Sequence, residues 1–554
     1  MQFISDPSLP GQGDITGLYL NRDRSVVAVT SQFRLLTNPP ARASYGGQRL
    51  RYRVALYHPP ETKPFAVLDS LRYSVNDVAF HPSEPTIAIA TGSYDGGWAF
   101  EGELVVWDWE GRRHSNKTGP IPEVVRCSFS DAGSSIIALV RPWDEGSDDL
   151  GDPFDSFYEI WATYSGDFFE GEFDSSSIAQ QISQQIPLSE KDIESNPRFS
   201  SQAEHPEPTL QQVFKLDGFK FRSPIWDVAW LGNGGIGIVH DDCQLEVLDS
   251  KGVHKRSFVG FGHGVQIFAR PNLLVHAVQY PRASLYSRAS KGWDDACSSR
   301  LLRFDGTELR AVADFKGQFT YSVSRDGWVL GRRDRTADRT PAEKDVIGDP
   351  SLGVWCRYDF GHYDVFNHFL RVDDSPYLFL VQGSPPTSHE HKHVCVVSHD
   401  GSVRQLWSIL PETRQHSGHA MECAFGYLAD SFGEGLIASG YDLYSNSQQP
   451  YPGFIYRKRL EDGKELWRHD TKASATAIKA IPGHEVILAA FLNGEVAAIE
   501  SGSGAILEWT EFRPDGDLSV VFSFDVFAER IIFGAIDGRV GILPVSILLN
   551  SGIN

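Results

Sequence analysis

The chain has 554 residues, of which 41% are hydrophobic and 12% aromatic, with 51 Gly and 31 Pro against 2 Met. Such a chain can bury a large ring-rich interior, which excludes global disorder, and its turn formers suit short strands better than a helix bundle. A formal charge of -21, from 51 Lys and Arg against 72 Asp and Glu, opposes general attraction to nucleic acid or an anionic membrane surface.

Residues 1–14 (MQFISDPSLPGQGD) show no basic and apolar leader pattern, and no segment reaches the roughly 20 apolar residues of a membrane span. The cysteines form no CxxC pair, as in a reducing compartment where thiols serve as small core residues. A cytoplasmic protein with no membrane partner is the expectation.

From the N-terminus onward the recurring unit is a strand, a tight turn and another strand. Val75 to Phe80 (VNDVAF), Thr86 to Ala90 (TIAIA) and Leu104 to Asp108 (LVVWD) make one set; Ile225 to Trp230 (IWDVAW), Ile236 to His240 (IGIVH) and Leu245 to Leu248 make another. Later copies run through Val394 to Val397, Asp400-Gly401 and Val403 to Trp407, then Ile487 to Phe491, Asn493-Gly494 and Val496 to Ile499, and finally Arg530 to Ala535, Asp537-Gly538 and Val540 to Leu543. Asp-Gly and Asn-Gly turns admit positive φ and join antiparallel strands, so these units read as meanders. A small repeated sheet must stack on copies of itself, and radial stacking gives a β-propeller.

The expected fold is all-β: a single β-propeller domain over 1–554, with seven or eight four-stranded blades. Strand groups are expected at 14–60, 70–112, 123–165, 213–256, 258–330, 360–410, 419–470 and 474–545. Two stretches break the period. Residues 142–158 form an acidic loop insertion, and 166–208 a polar insertion with a short helix expected around Ile178 to Ile186.

Ser398-His399-Asp400-Gly401-Ser402-Val403-Arg404-Gln405-Leu406-Trp407, with Gly361-His362 upstream, resembles a blade of the WD40-like β-propeller superfamily. The resemblance implies a structural hydrogen-bonded network of His362, Ser398, Asp400 and Trp407. Asp462-Gly463-Lys464-Glu465-Leu466-Trp467 and Ser503-Gly504-Ala505-Ile506-Leu507-Glu508-Trp509 resemble the strand endings of quinoprotein-like propellers. In both propeller types such a Trp wedges between neighbouring sheets, and no cofactor is expected here.

His389, His391 and His393 (HEHKH) alternate, so an extended backbone would place three imidazoles on one side as a candidate metal site. Their spacing is that of neither a zincin nor a zinc finger. The acidic run from Asp144 to Asp155 lacks the order of a calcium loop. Cys127, Cys395 and Cys423 lie in apolar strands as filler. No nucleophile elbow, HExxH motif or phosphate loop is present, so no catalytic residue is assigned. Trp98, Phe100, Trp143, Phe154 and Phe157 sit near inter-strand loops, where rigid rings make candidate interface anchors.

These readings favour a noncatalytic scaffold that binds protein partners, some with a basic surface, through a propeller face and the two insertions. Two alternatives stay open. One is a propeller enzyme with a central-channel site, such as a metal-assisted hydrolase or lyase; the other is a carbohydrate-binding propeller.

Overall fold

The computed structural model describes residues 2–5, 9, 12–33, 51–94, 100–118, 122–141, 156–163, 169, 175–196, 212–215, 224–240, 243–279, 297–333, 344–360, 372–382, 392–409, 420–442, 453–516 and 518–550. Among them the fold is all-β, built from ten antiparallel sheets, eight of four strands and two of three. We number the sheets in chain order: sheet 1 (14–71), sheet 2 (74–116), sheet 3 (123–163), sheet 4 (227–258), sheet 5 (263–316), sheet 6 (319–358), sheet 7 (378–408), sheet 8 (420–471), sheet 9 (475–511) and sheet 10 (521–544). Consecutive strands are neighbours throughout. Sheet 10 takes its outer strand, Gln2–Ser5, from the start of the chain, where it pairs with Val540–Pro544.

The expected strand groups differ from this arrangement at several places. Ala66–Leu71 of sheet 1 lies outside the 14–60 group, and Asp345–Asp349 and Val354–Tyr358 of sheet 6 lie in none. The 258–330 stretch holds all of sheet 5 and the start of sheet 6, and 474–545 holds sheet 9 and three of the four strands of sheet 10. The link from sheet 5 to sheet 6, residues 317–318, is as short as a turn within a sheet, so composition does not mark that boundary. Gly494, at φ +83 in the Asn493-Gly494 turn of sheet 9, shows the tight connection expected of that pair.

Sheets 1 to 3 stack in order through two apolar clusters, one joining Tyr19 and Leu68 to Val78 and Ile87, the other joining Ala90 and Leu104 to Val124 and Ile160. The free face of sheet 1 is covered by Leu9 and Phe214, that of sheet 3 by Leu188 and Ile193. Sheets 4 to 10 form a second succession, each packed on the next. Sheet 10 then returns to sheet 4, where Ile532, Val540 and Ile542 meet Ile225, Val228 and Ile238. The ring of Trp226 stacks on Phe522 at 5.3 Å across the same junction.

A buried carboxylate ties first strand to first strand. Asp77 accepts from Cys127 N at 3.2 Å, Asp227 from Ile267 N at 2.7 Å, and Asp525 from Trp230 N at 2.7 Å, each bond crossing to the next sheet. Ser523 Oγ donates to Asp227 and closes the junction from the other side. A carboxylate out of water is tolerable only when so bonded. Burial still pushes the Asp77 carboxyl up to about 6, opposed by the Arg126 charge and its hydrogen bonds.

His276, in the second strand of sheet 5, packs edge-on to Tyr321 of sheet 6 at 4.7 Å, and neither ring nitrogen has a hydrogen-bond partner. Burial alone pushes its pKa down from 6.5 to about 3. No helix among the described residues is long and apolar enough to cross a membrane.

Two outcomes follow for stability. Asp227→Ala strands the Ile267 amide and the Ser523 hydroxyl in the interior and is expected to cost about 3 kcal/mol in urea unfolding, against less than ~1 kcal/mol for Asp249→Ala in an exposed turn. Equal costs would contradict the tie. The folded state keeps His276 neutral while the unfolded chain protonates at 6.5. Its contribution is therefore full above pH 6.5 and declines by about 1.4 kcal/mol per pH unit as pH falls toward 3. His276→Leu should flatten the stability profile in that window, and parallel wild-type and variant profiles would contradict the assignment.

Candidate functional site

Two places gather polar side chains that the strand pattern alone does not explain: the outer edge of sheet 3, and a small cavity where the first strands of several sheets converge.

The strand Tyr158–Thr163 is the outer strand of three-stranded sheet 3. Helix α1 (Ser175–Ser183) docks beside it and buries Ile178 and Ile182 in the core between sheets 2 and 3. The expected helix in the 166–208 insertion is thus present. The Gln181 side chain accepts from Trp161 N at 2.9 Å and donates to Trp161 O at 3.3 Å; Gln185 accepts from Glu159 N at 3.2 Å and donates to Glu159 O at 2.6 Å. Phe157 and Leu188 exchange two backbone bonds, at 3.1 and 2.8 Å. A capping box between Ser189 and Asp192 then starts α2 (Glu190–Ser195), which lays Ile193 on Val125, Leu139 and Phe157. Ile186 is 88% exposed and Trp161 42% exposed, so this polar edge carries apolar surface into solvent.

The cavity is lined by Ala229, Phe268, Val323, Asp373, Lys479 and Asp525, with Arg270 and Asp374 at its side. Lys479 Nζ lies 2.9 Å from Asp373, 3.4 Å from Asp525 and 3.8 Å from Asp374. Arg325 donates to the Asp374 carbonyl at 2.6 and 3.1 Å, and Arg270 reaches the Asp374 carboxylate at 3.5 Å. Opposite charges at these distances favour the charged form of an amine, which suits an ion-paired tie and opposes nucleophilic chemistry. The cavity is partly open to solvent and its free volume is about 20 Å³, room for roughly one water.

The sequence candidates fall differently. Phe100 and Phe157, expected as exposed rings, are fully buried. The Arg141 guanidinium lies 4.4 Å from the Phe100 centroid and 5.1 Å from that of Phe157, and pairs with Glu123 at 3.3 Å, so both rings line a buried cation. Trp98, Trp143 and Phe154 lie outside the described residues, as do most of 142–158, His389 and His391. His393 is half-buried and opens the strand His393–Val397. Among the described residues no group of three His, Cys, Asp or Glu is placed to hold a metal.

Of the blade network, His362 is outside the described residues. Asp400 accepts from Ser402 N at 3.0 Å and Ser402 Oγ at 2.8 Å within its own turn, which Ser398 closes by accepting from Gly401 N. Trp407 packs at the rim of the core shared by sheets 6, 7 and 8. Trp467 wedges between sheets 8 and 9 and donates to Ser501 O at 2.7 Å, and Trp509 stacks on Phe491 at 5.1 Å. Cys127 and Cys395 are buried, and burial raises both thiols, that of Cys395 to about 11. The Cys423 side chain is outside the described set.

Sequence reasoning missed Gln181, Gln185 and Lys479. The buried carboxylates were also missed; the Asp-Val-Ala shared by 77–79 and 227–229, a charged residue within an otherwise apolar first strand, was the available signal.

Compared with known proteins, the sequence matches no protein-family profile and no curated protein.

Lys479→Met leaves three carboxylates facing one cavity without their central cation, and is expected to lower stability by about 3 kcal/mol. The double variant Lys479→Met with Asp373→Asn should recover part of that loss. Equal stability of Lys479→Met and wild type in urea unfolding would show that the ion pairs contribute nothing.

Proposed function

We propose that the protein is a propeller scaffold that binds another protein through the insertion edge of sheet 3. In this reading sheets 4 to 10 form a seven-bladed ring of the WD40-like kind, sealed where sheet 10 meets sheet 4, and sheets 1 to 3 form a side stack. The cavity lined by first strands of sheets 4, 5, 6, 9 and 10 supports a ring, because strands from so many sheets face one space only when the sheets are arranged radially.

The observation that carries the binding reading is the edge itself. Segment 181–188 departs from the blade period, lies against the outer strand of sheet 3, and leaves Ile186 88% exposed, while Trp161 of that strand is 42% exposed. Exposed apolar side chains grouped on a polar rim favour association. The overall charge of -21 favours a partner of basic surface, whose encounter it would speed. Catalysis in the central cavity, the alternative raised by the fold, would require the Lys479 ion pairs to part, since the space between them is about 20 Å³.

The test is recovery of the tagged full chain from its native cells, with mass-spectrometric identification of partners present in stoichiometric amount. Ile186→Asp with Trp161→Ser should reduce that partner at least about tenfold, the effect of roughly 1.4 kcal/mol. Val253→Asp with Val259→Asp, on exposed residues of sheet 4 and its following turn, should leave it in place. Equal recovery with both variants would remove the edge as the binding surface.

A further inference from the structure

We propose that the outer edge of sheet 3 is a strand-addition site, for which segment 181–188 is a removable internal occupant and a basic extended segment of the partner is the external one. This rests on the partner-binding reading of the insertion and names how that binding occurs.

Among the described residues eight sheets have a fourth β-strand, and sheets 3 and 7 have three strands each. Along the outer strand of sheet 3 the backbone groups of Phe157, Glu159 and Trp161, alternate residues, point away from the sheet and are met in turn by Leu188, Gln185 and Gln181. Partner numbers rise as strand numbers fall, the antiparallel order of a real fourth strand. Only the Leu188 rung is made by backbone. The next two are made by side-chain amides, which carry the same N–H and C=O as a peptide group.

The fit has a simple geometric cause. Successive rungs lie two residues, about 6.8 Å, apart along the strand; Gln181 reaches one from the last turn of α1, and Gln185, just beyond the helix end at Ser183, reaches the next. Each rung so made also orders a long side chain, which costs conformational entropy. A peptide strand would supply the same rungs from its backbone. Burial of Ile178 and Ile182 also holds α1 down. The closed state is thus favoured by an amount that a bound strand can exceed, since addition to a sheet edge brings main-chain bonds and side-chain pockets together. The charge of -21 selects a cationic strand over a neutral or acidic one.

The experiment uses the full chain and a short fluorescent peptide of alternating Lys and Val, read by anisotropy. Gln181→Ala with Gln185→Ala removes the four side-chain bonds but keeps both isoleucines and the helix, since alanine is the best helix former. This variant is expected to bind the peptide at least tenfold more tightly than wild type, and a peptide N-methylated on alternate residues, lacking the edge-facing N–H groups, is expected to lose binding to both. Equal affinity of wild type and variant would overturn the proposal. So would undiminished binding of the methylated peptide, which would mean charge attraction alone. Self-association of the variant in sedimentation without peptide would also overturn it, by making a second copy the occupant. If Ile186→Asp with Trp161→Ser abolishes partner recovery while the glutamine variant gains no peptide affinity, strand addition fails and the partner-binding reading stands.

Discussion

A carboxylate buried in a sheet's first strand, accepting a backbone N–H from the first strand of the next sheet, fixes how these sheets stack. Apolar faces alone allow sliding, because dispersion and burial are non-directional. A buried Asp does not, since any displacement leaves both the charge and the amide unpaired. Asp77 does this between sheets 2 and 3, Asp227 between sheets 4 and 5, and Asp525 between sheets 10 and 4. The last is the most consequential, because it joins the two ends of a seven-sheet succession. With Ser523 on Asp227 and Trp226 on Phe522, it sets the junction on which the cavity around Lys479 depends.

With the inner strands fixed in this way, freedom moves outward. The first strands carry the carboxylates and Lys479; the outer strands carry what varies from sheet to sheet. Sheet 10 borrows its outer strand from the start of the chain, and sheet 3 fills that place with a helix and two glutamines. An uncovered edge invites pairing with any extended chain, and covering it with a helix is one of the ways proteins restrain that tendency. The polar insertion therefore has a structural duty at the same place where its exposed Ile186 suggests contact with a partner.

Much of this was legible in the residues. Alternating strands, Asp-Gly and Asn-Gly turns and the polar interruption at 166–208 all follow from local pattern, and the short helix expected around Ile178 to Ile186 is found at Ser175–Ser183. Sheet boundaries were not, because the two-residue link from sheet 5 to sheet 6 looks like a turn within a sheet. Phe100 and Phe157 misled because loop-adjacent rings read as surface, whereas Arg141 draws both inward through a contact some forty residues from the first of them and about sixteen from the second. Gln181 and Gln185 were invisible for a related reason: a glutamine that completes a strand edge 20 or more residues away leaves no local signature. Lys479 likewise gains meaning only when Asp373 and Asp525 arrive from other sheets.

The most direct test of the central claim is hydrogen exchange on the full chain, free and bound to the partner recovered with it. If the partner adds a strand to sheet 3, the amides of Glu159 and Trp161 stay protected while those of α1 exchange faster on binding. Slower exchange confined to other sheets, with 157–163 and 175–185 unchanged, would contradict it.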